Sequence, residues 1–145
     1  MPGFLDKMTY APKTWGSEIW IANSEKYCGK ILNIKKDGYC SYHYHLLKDE
    51  VLMVTEGRVL FVYSKSPVLS DQEALAYAPE YAQIVLEEGQ AWHVLPGIIH
   101  QFFGLTPAKI TEFSTQHFDS DSYRVTTEFI GNRGLAVLTS RPDLY

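Results

Sequence analysis

The chain has 145 residues, 46% of them hydrophobic and 21% charged, and a formal net charge of −4. This length favours a single domain, and the composition excludes collagenous, low-complexity and largely disordered chains. No basic block interrupts the acidic balance, and no apolar run approaches the roughly 18 residues of a membrane span. We therefore expect neither nucleic acid nor a membrane as a partner.

The chain begins with a segment that carries turn-forming residues rather than a strand pattern. Pro2, Gly3 and Pro12 fall within residues 1–14, which we expect to form an arm. The opening Met-Pro-Gly-Phe-Leu-Asp does not have the pattern of a signal peptide, so we expect a cytoplasmic protein.

Short strands are predicted along residues 15–116, which we take as the core of the single domain, with a C-terminal extension over residues 117–145. Alternation of apolar and polar residues, together with glycine-centred turns, carries this prediction. The predicted strand ranges are 15–22, 27–34, 39–45, 50–63 with a turn at Glu56-Gly57, 84–86, 91–95, 98–103 and 109–115. Residues 64–83 are expected to form a loop with room for one helical turn. The pattern indicates an all-β antiparallel sandwich or barrel.

Two cysteines, Cys28 and Cys40, are too few for a disulfide framework. We expect two reduced thiols on neighbouring strands, and the sequence leaves a bridge between them open.

A His-x-His pair followed by a glutamate is the first sign of chemistry. Side chains two apart on a strand share a face, so His43 and His45 should point the same way. Glu50 follows after a short connection and could return to that face. Two imidazoles and a carboxylate are ligands for Mn, Fe, Co, Ni or Zn, whereas the alternative is a pair of exposed or hydrogen-bonded histidines.

A third histidine strengthens the metal hypothesis. The Pro96-Gly97 turn reverses the chain, and His100 begins the strand that follows it. If the sheets face each other, this turn can bring His100 beside the other ligands. Three neutral imidazoles and one carboxylate would leave coordination positions open for water or substrate oxygens.

The spacing of these residues resembles the two signature motifs of the cupin superfamily. The first is Gly-x4-His-x-His-x4-Glu-x6-Gly from Gly38 to Gly57, and the second is Gly-x6-Pro-Gly-x2-His from Gly89 to His100. The resemblance implies a cupin double-stranded β-helix, a jelly-roll barrel, with one divalent metal between the sheets. It carries the ligand roles over to His43, His45, Glu50 and His100.

A narrower resemblance is to the cupin domain of type II mannose-6-phosphate isomerases and to small sugar-phosphate isomerase-like cupins. The segments that carry it are Lys13-Thr-Trp15-Gly16-Ser-Glu, Tyr27-x-x-Lys30, Ser41, Lys48-Asp-Glu50 and Asp121-Ser-Tyr-Arg124. This chain has Lys48 where that family usually has Arg, and it lacks the nucleotidyltransferase domain often fused there. The resemblance implies substrate contacts from Lys30, Ser41 and Arg124, with Lys30 and Arg124 suited to an anionic group.

Isomerisation needs a base that moves a proton between adjacent carbons, and the candidates are Glu112, His93 and Lys48. Glu112 faces the interior if Phe113 packs outside. His93 faces the interior if Leu95 does.

Three functions are compatible with this reading. The first is a metal-dependent isomerase or epimerase of a small sugar or sugar phosphate. The others are an Fe- or Ni-dependent dioxygenase and a non-catalytic sugar-binding module.

By analogy we expect a homodimer. Tyr42 and Tyr44 should point away from the metal, and Trp15, Trp20 and Trp92 are assigned to the core or an interface, with sugar stacking the lesser alternative.

Overall fold

The structure, a computed structural model, describes residues 1–70 and 80–125 as two antiparallel sheets packed face to face. The strands are β1 (Thr9–Lys13), β2 (Gly16–Asn23), β3 (Cys28–Ile34), β4 (His43–Tyr44), β5 (Glu50–Glu56), β6 (Val59–Ser64), β7 (Tyr81–Leu86), β8 (Ala91–Val94), β9 (His100–Gly104), β10 (Ala108–Ser114) and β11 (Tyr123–Arg124). A short 3-10 helix at Asp119–Asp121 precedes β11. One sheet has the order β1-β2-β3-β10-β5-β8 and the other β11-β4-β9-β6-β7. The expected all-β antiparallel fold is confirmed.

Three central strands of the six-stranded sheet, β3, β5 and β10, alternate between a buried and a more exposed face. β3 buries every second residue from Cys28 to Ile34, and β10 does the same from Ala108 to Glu112. This period of two is what the pleat of a strand imposes. It gives the sheet one face toward its partner sheet and one toward solvent.

Two apolar cores hold the layers. The first lies between the sheets and includes Leu32, Val54, Phe61 and Ile110. The second lies on the other face of the five-stranded sheet, where Tyr42 and Tyr44 pack with Leu60, Val62 and Ile99. The two tyrosines therefore point away from the space between the sheets, as the alternation with His43 and His45 predicts.

The turn between β8 and β9 is tied to the strand that carries the histidine pair. Gly97 has φ +83°, and a Cβ there would lie 2.8 Å from the Val68 carbonyl oxygen. Its N–H donates to the His45 carbonyl oxygen at 2.6 Å. Glycine at this position therefore lets the turn approach His45 and places His100 beside it.

Three expectations about local structure need correction. Residues 9–13, assigned to an arm, form β1, because their backbone pairs with β2 from Thr9↔Trp20 to Lys13↔Gly16. The predicted strand at residues 39–45 is regular only at His43–Tyr44, apart from an isolated bridge at Tyr39. Within the predicted loop at 64–83, Tyr81 begins β7, while residues 71–79 lie outside the described part of the chain.

Both cysteines are free and buried. Cys28 is in β3 of the six-stranded sheet, whereas the Cys40 thiol accepts from the Phe102 N–H of β9 in the other sheet. They are therefore not on neighbouring strands. Burial raises the pKa of the Cys40 thiol to about 12.

In residues 1–70 and 80–125, no helix is long and apolar enough to cross a membrane.

Candidate functional site

A cavity of about 650 Å³ opens between the sheets at the end of the barrel where polar residues replace the apolar core. Its wall contains the predicted ligands together with Lys30, Lys48 and Glu112, all three of which are buried. Buried charges are costly unless they are paired, so their concentration here marks the cavity as a site with chemistry.

Three histidines converge on one point of this cavity. The ring nitrogens offered by His43, His45 and His100 all lie within 4.8 Å of one another. His43 and His100 are brought together because β4 and β9 pair at these two residues. His45 follows directly after β4 on the same face.

The hydrogen bonds of the three rings leave the same nitrogen free in each. His43 Nδ1 donates to the Ser41 carbonyl oxygen at 2.7 Å, His45 Nδ1 to that of Asp121 at 2.9 Å, and His100 Nδ1 to that of Ile98 at 2.9 Å. A carbonyl oxygen only accepts, so each Nδ1 carries the proton and each Nε2 keeps its lone pair. In metal sites, a hydrogen bond from the second ring nitrogen to such an acceptor orients each histidine ligand.

Glu50 completes the donor set. Its Oε1 lies 3.1 Å from His100 Nε2 and 3.8 Å from His45 Nε2. Burial acts to raise the pKa of Glu50, but its neighbours His100, Lys48 and His45 outweigh burial and hold that pKa below its usual range. Burial also lowers the pKa of His45 to about 4 and that of His43 well below its ordinary value. A carboxylate and three neutral imidazoles are the protonation states that a divalent metal requires, so the residues fit the group.

A second charged cluster adjoins the four ligands. Lys48 Nζ lies 2.8 Å from Glu112 Oε2 and 3.7 Å from Glu50 Oε2. Ser114 Oγ donates to the same Glu112 Oε2 at 2.9 Å. Burial, followed by the charge of Glu50, raises the pKa of Glu112 despite Lys48. Burial alone would lower the pKa of Lys48, but Glu112 and Glu50 together raise it above the ordinary value.

Lys30 forms the opposite wall of this cluster. β3 and β10 pair Lys30 with Glu112, and β2 places Trp20 beside Lys30. The ammonium lies 3.8 Å from the centroid of the Trp20 ring and 4.0 Å from Glu18 Oε2. Burial lowers the pKa of Lys30.

The structure brings most of the predicted site residues to this cavity. Ser41 and Arg124 line it with exposed side chains, and Arg124 is paired with His43 across β11 and β4. Glu112 faces inward as expected from Phe113, which is exposed.

The placement of His93 needs correction. Trp92 and Val94 of β8 pack against the core, so His93 between them faces outward, with a side chain that is 56% exposed. Its Nε2 lies 2.6 Å from Asp49 Oδ1. Leu95, on which the inward expectation depended, is itself exposed.

Sequence reasoning missed three site residues. Trp20 was assigned to the core or an interface but lines the cavity; Trp15 lines the cavity and packs in the core, whereas Trp92 packs against the core. His117 lies beside both buried lysines. Asp121 is buried, and its carboxylate accepts from the Leu46, Leu47 and Lys48 N–H groups at 2.9 to 3.0 Å. Asp121 is part of the motif Asp121-Ser-Tyr-Arg124, but no spacing in the sequence links it to His45. No sequence pattern points to His117.

Comparison with known families gives one clear result. The family model described as Cupin matches residues 14–137. No curated protein matches the sequence.

Several solved structures share the fold. The capsular polysaccharide assembling protein CapF from Staphylococcus aureus superposes with a TM-score of 0.66 and 14% identity, covering 85% of this chain and 34% of CapF. L-ribose isomerase from Cellulomonas parahominis superposes with a TM-score of 0.62 and 16% identity, covering 81% of this chain and 72% of the isomerase. A sugar phosphate isomerase of the cupin superfamily from Silicibacter pomeroyi superposes with a TM-score of 0.53 and 21% identity, covering 70% of this chain and 59% of that isomerase. This chain thus spans about a third of CapF, and at these identities the likeness shows the fold alone.

Proposed function

Because the chain belongs to the cupin family, we propose that its cavity is the active site of a metal-dependent isomerase or epimerase that acts on a small sugar or sugar phosphate. The observation that carries the proposal is the contact between the two clusters. Lys48 lies within 4.0 Å of both Glu50, a proposed metal ligand, and Glu112, a proposed proton carrier. A substrate oxygen held at the first cluster would thus have its adjacent carbon near the second.

We assign a divalent metal such as Mn, Zn, Fe, Co or Ni to His43, His45, Glu50 and His100. A bound metal would supply Lewis acidity, polarising a substrate carbonyl and orienting its neighbouring hydroxyl. The four residues are rigidly held by β4, β5 and β9 and by the carbonyl partners of the three rings.

Glu112 is the base in this proposal. Its carboxylate removes a proton from the hydroxyl-bearing carbon beside the carbonyl and returns it to the former carbonyl carbon, while the hydroxyl proton passes to the former carbonyl oxygen. A raised pKa favours this role because the carboxyl group must both take and release a proton. Lys48, held as an ammonium by two carboxylates, orients Glu112 rather than acting as the base.

Lys30, Ser41 and Arg124 are assigned to substrate binding. Lys30 supplies a buried point charge, whereas Arg124 supplies a planar guanidinium at the cavity mouth, and both suit a phosphate or carboxylate on the substrate. The sugar isomerases of the same fold support a sugar-type substrate. Three expectations stay predictions: the specific resemblance to mannose-6-phosphate isomerases, the homodimer and the cytoplasmic location.

The test begins with metal analysis of the purified protein, then follows a panel of aldoses and ketoses, free and phosphorylated, by NMR in D₂O. We expect about one metal per chain and exchange of a substrate C–H for deuterium during isomerisation. His45→Ala should lose both metal and turnover. His93→Ala, a histidine outside the cavity, is the matched control and should keep both.

Turnover by metal-free His45→Ala would overturn the mechanism. Oxygen uptake with a redox metal would replace it with dioxygenase chemistry. Sugar binding without turnover would replace it with a binding module.

A further inference from the structure

His117 occupies a position in the cavity wall that the proposed reaction does not yet use. Its Nδ1 lies 2.9 Å from Lys48 Nζ and 3.2 Å from Lys30 Nζ. Its Nε2 lies 3.0 Å from Asp119 Oδ1. The backbone of His117 is fixed as well, because its N–H donates to Asn23 Oδ1 at 2.8 Å and its carbonyl oxygen accepts from Asn23 Nδ2 at 3.1 Å.

The two ammonium groups determine which nitrogen of His117 carries the proton. An ammonium can only donate, so Nδ1 must present its lone pair to both lysines. The proton then resides on Nε2 and is donated to Asp119. Burial lowers the pKa of His117, and Lys48 and Lys30 lower it further, which agrees with a neutral ring. His117 therefore has the opposite tautomer to His43, His45 and His100, whose Nδ1 atoms donate.

We propose that His117 is a positioning residue: Asp119 orients its ring, and Nδ1 holds the ammonium groups of Lys48 and Lys30 beside Glu112. The catalytic meaning of this role rests on the proposed isomerase function. The geometric role does not.

Both lysines have partners that transmit the position of the ring to the reaction site. Lys48 Nζ contacts Glu112 Oε2 at 2.8 Å, so a ring that locates Lys48 also locates the proposed base. Lys30 Nζ lies over Trp20, whose ring packs edge-on against His117 with centroids 4.8 Å apart. Without the ring, the two ammonium groups would lose the acceptor that they share, and each would be held only by its carboxylate partners.

Three variants separate this role from simple packing. His117→Asn places an amide oxygen near the position of Nδ1 and keeps an acceptor for the lysines. His117→Leu keeps bulk but removes the acceptor. Asp119→Ala keeps the ring and removes only its orienting partner, and Asp119 is 96% exposed, so folding should not depend on it. His93→Leu breaks the other histidine–aspartate pair, outside the cavity, and serves as the control.

The first measurement is ¹⁵N NMR of the zinc-loaded protein, and it does not depend on any substrate. We expect the Nε2–H tautomer for His117, with Asp119→Ala moving the ring toward a mixture of tautomers. The ¹⁵Nζ signals of Lys30 and Lys48 should shift or broaden in His117→Leu and stay near their wild-type positions in His117→Asn and His93→Leu. An Nδ1–H tautomer of His117, or unchanged lysine signals in His117→Leu, would overturn the proposal.

The second measurement is turnover of whichever sugar the wild-type enzyme isomerises. Misplacement of reacting groups by about 1 Å costs on the order of 100-fold in rate, so His117→Leu should lower kcat by about that factor at unchanged zinc content. His117→Asn should restore kcat to within about tenfold of wild type. Equal kcat losses in the Asn and Leu variants would refute positioning by an acceptor. If the wild-type protein isomerises no sugar, the proposed function fails, while the NMR result still decides the role of His117.

Discussion

The space between the two sheets has an apolar half and a polar half, and the same three strands build both. Along their inward faces, the polar half takes Lys30 from β3, Glu112 from β10 and Glu50 from β5. The next inward positions belong to the apolar core, and they are Leu32, Ile110 and Leu52, followed by Ile34, Ala108 and Val54. A shift of two residues along each strand therefore changes the environment from hydrocarbon to paired charge.

The comparison shows how a small barrel can hold four buried charges in one cavity, namely Lys30, Lys48, Glu50 and Glu112. Glu112 is placed by its pairing with Lys30 and Leu52, so the ladder that fixes the core also fixes the site. The cost of burying the carboxylates is offset by ammonium partners at 2.8 to 4.0 Å. The apolar half supplies the stability on which this arrangement depends.

The largest effect on stability should come from placing a charged side chain in the apolar half. Ile110→Glu places a carboxylate where the residue is 1% exposed and packed among apolar core side chains, so we expect the free energy of unfolding to fall by about 3–5 kcal/mol. Thr111→Glu, on the other face of β10, is the control and should change it by less than about 1 kcal/mol. Urea denaturation measures both. Equal losses would show that the two faces do not differ as described.

Asp121 anchors the polar half, because its carboxylate accepts three backbone N–H groups and its carbonyl oxygen accepts from His45. We expect Asp121→Ala to lower the free energy of unfolding by about 3 kcal/mol and to weaken metal binding. Asp121→Asn keeps one acceptor and should lose less. Metal titration followed by thermal denaturation tests this, and wild-type metal affinity in the alanine variant would contradict it.

Glu112→Gln should separate activity from stability. We expect a loss of turnover on the order of 100-fold, because the amide cannot carry the proton. Gln keeps an acceptor for Lys48, and Glu50 remains nearby, so the unfolding free energy should change less than in Ile110→Glu. Glu56→Gln, the same change at the exposed end of β5, is the control and should keep full turnover. Wild-type turnover in Glu112→Gln would assign the base elsewhere.

Zinc should stabilise the folded protein only through the four proposed ligands in the polar half. At a free concentration one hundred times its Kd, zinc should add about 2.7 kcal/mol to the unfolding free energy, and a chelator should remove that gain. His45→Ala should show no such response. Calorimetric Tm values with and without chelator decide the point, and an equal response in the variant would place the zinc at another site.

Glu112 and His93 show how far strand patterns reach. Both orientations were argued from a neighbour's face. Phe113 is inside β10, where alternation holds, and it located Glu112 correctly. Leu95 and His93 lie two residues apart and are both exposed, so alternation holds here too, and the error was to expect an apolar residue such as Leu95 to face the interior.

His117 and Asp121 show what lies beyond such patterns. They follow the last long strand and meet Lys30, Lys48 and Leu46 across 69 to 87 residues of sequence. His117 lies outside the helix and strands, and Asp121 ends a 3-10 helix of three residues, which is too short for periodicity to predict a face. Their positions depend on how the C-terminal segment crosses the open end of the barrel, which is decided by packing among distant elements.

By itself the sequence determined an antiparallel all-β fold, because strand periodicity is a local property of the chain, and its resemblance to the cupin motifs implied the barrel and the four residues His43, His45, Glu50 and His100 that converge in it. Only the tertiary structure decided that Lys30, Lys48, Glu112 and His117 form one hydrogen-bonded cluster beside them. The physical reason is that a period of two assigns a side chain to a face, whereas the partner it meets there depends on which strands and segments pack across the cavity.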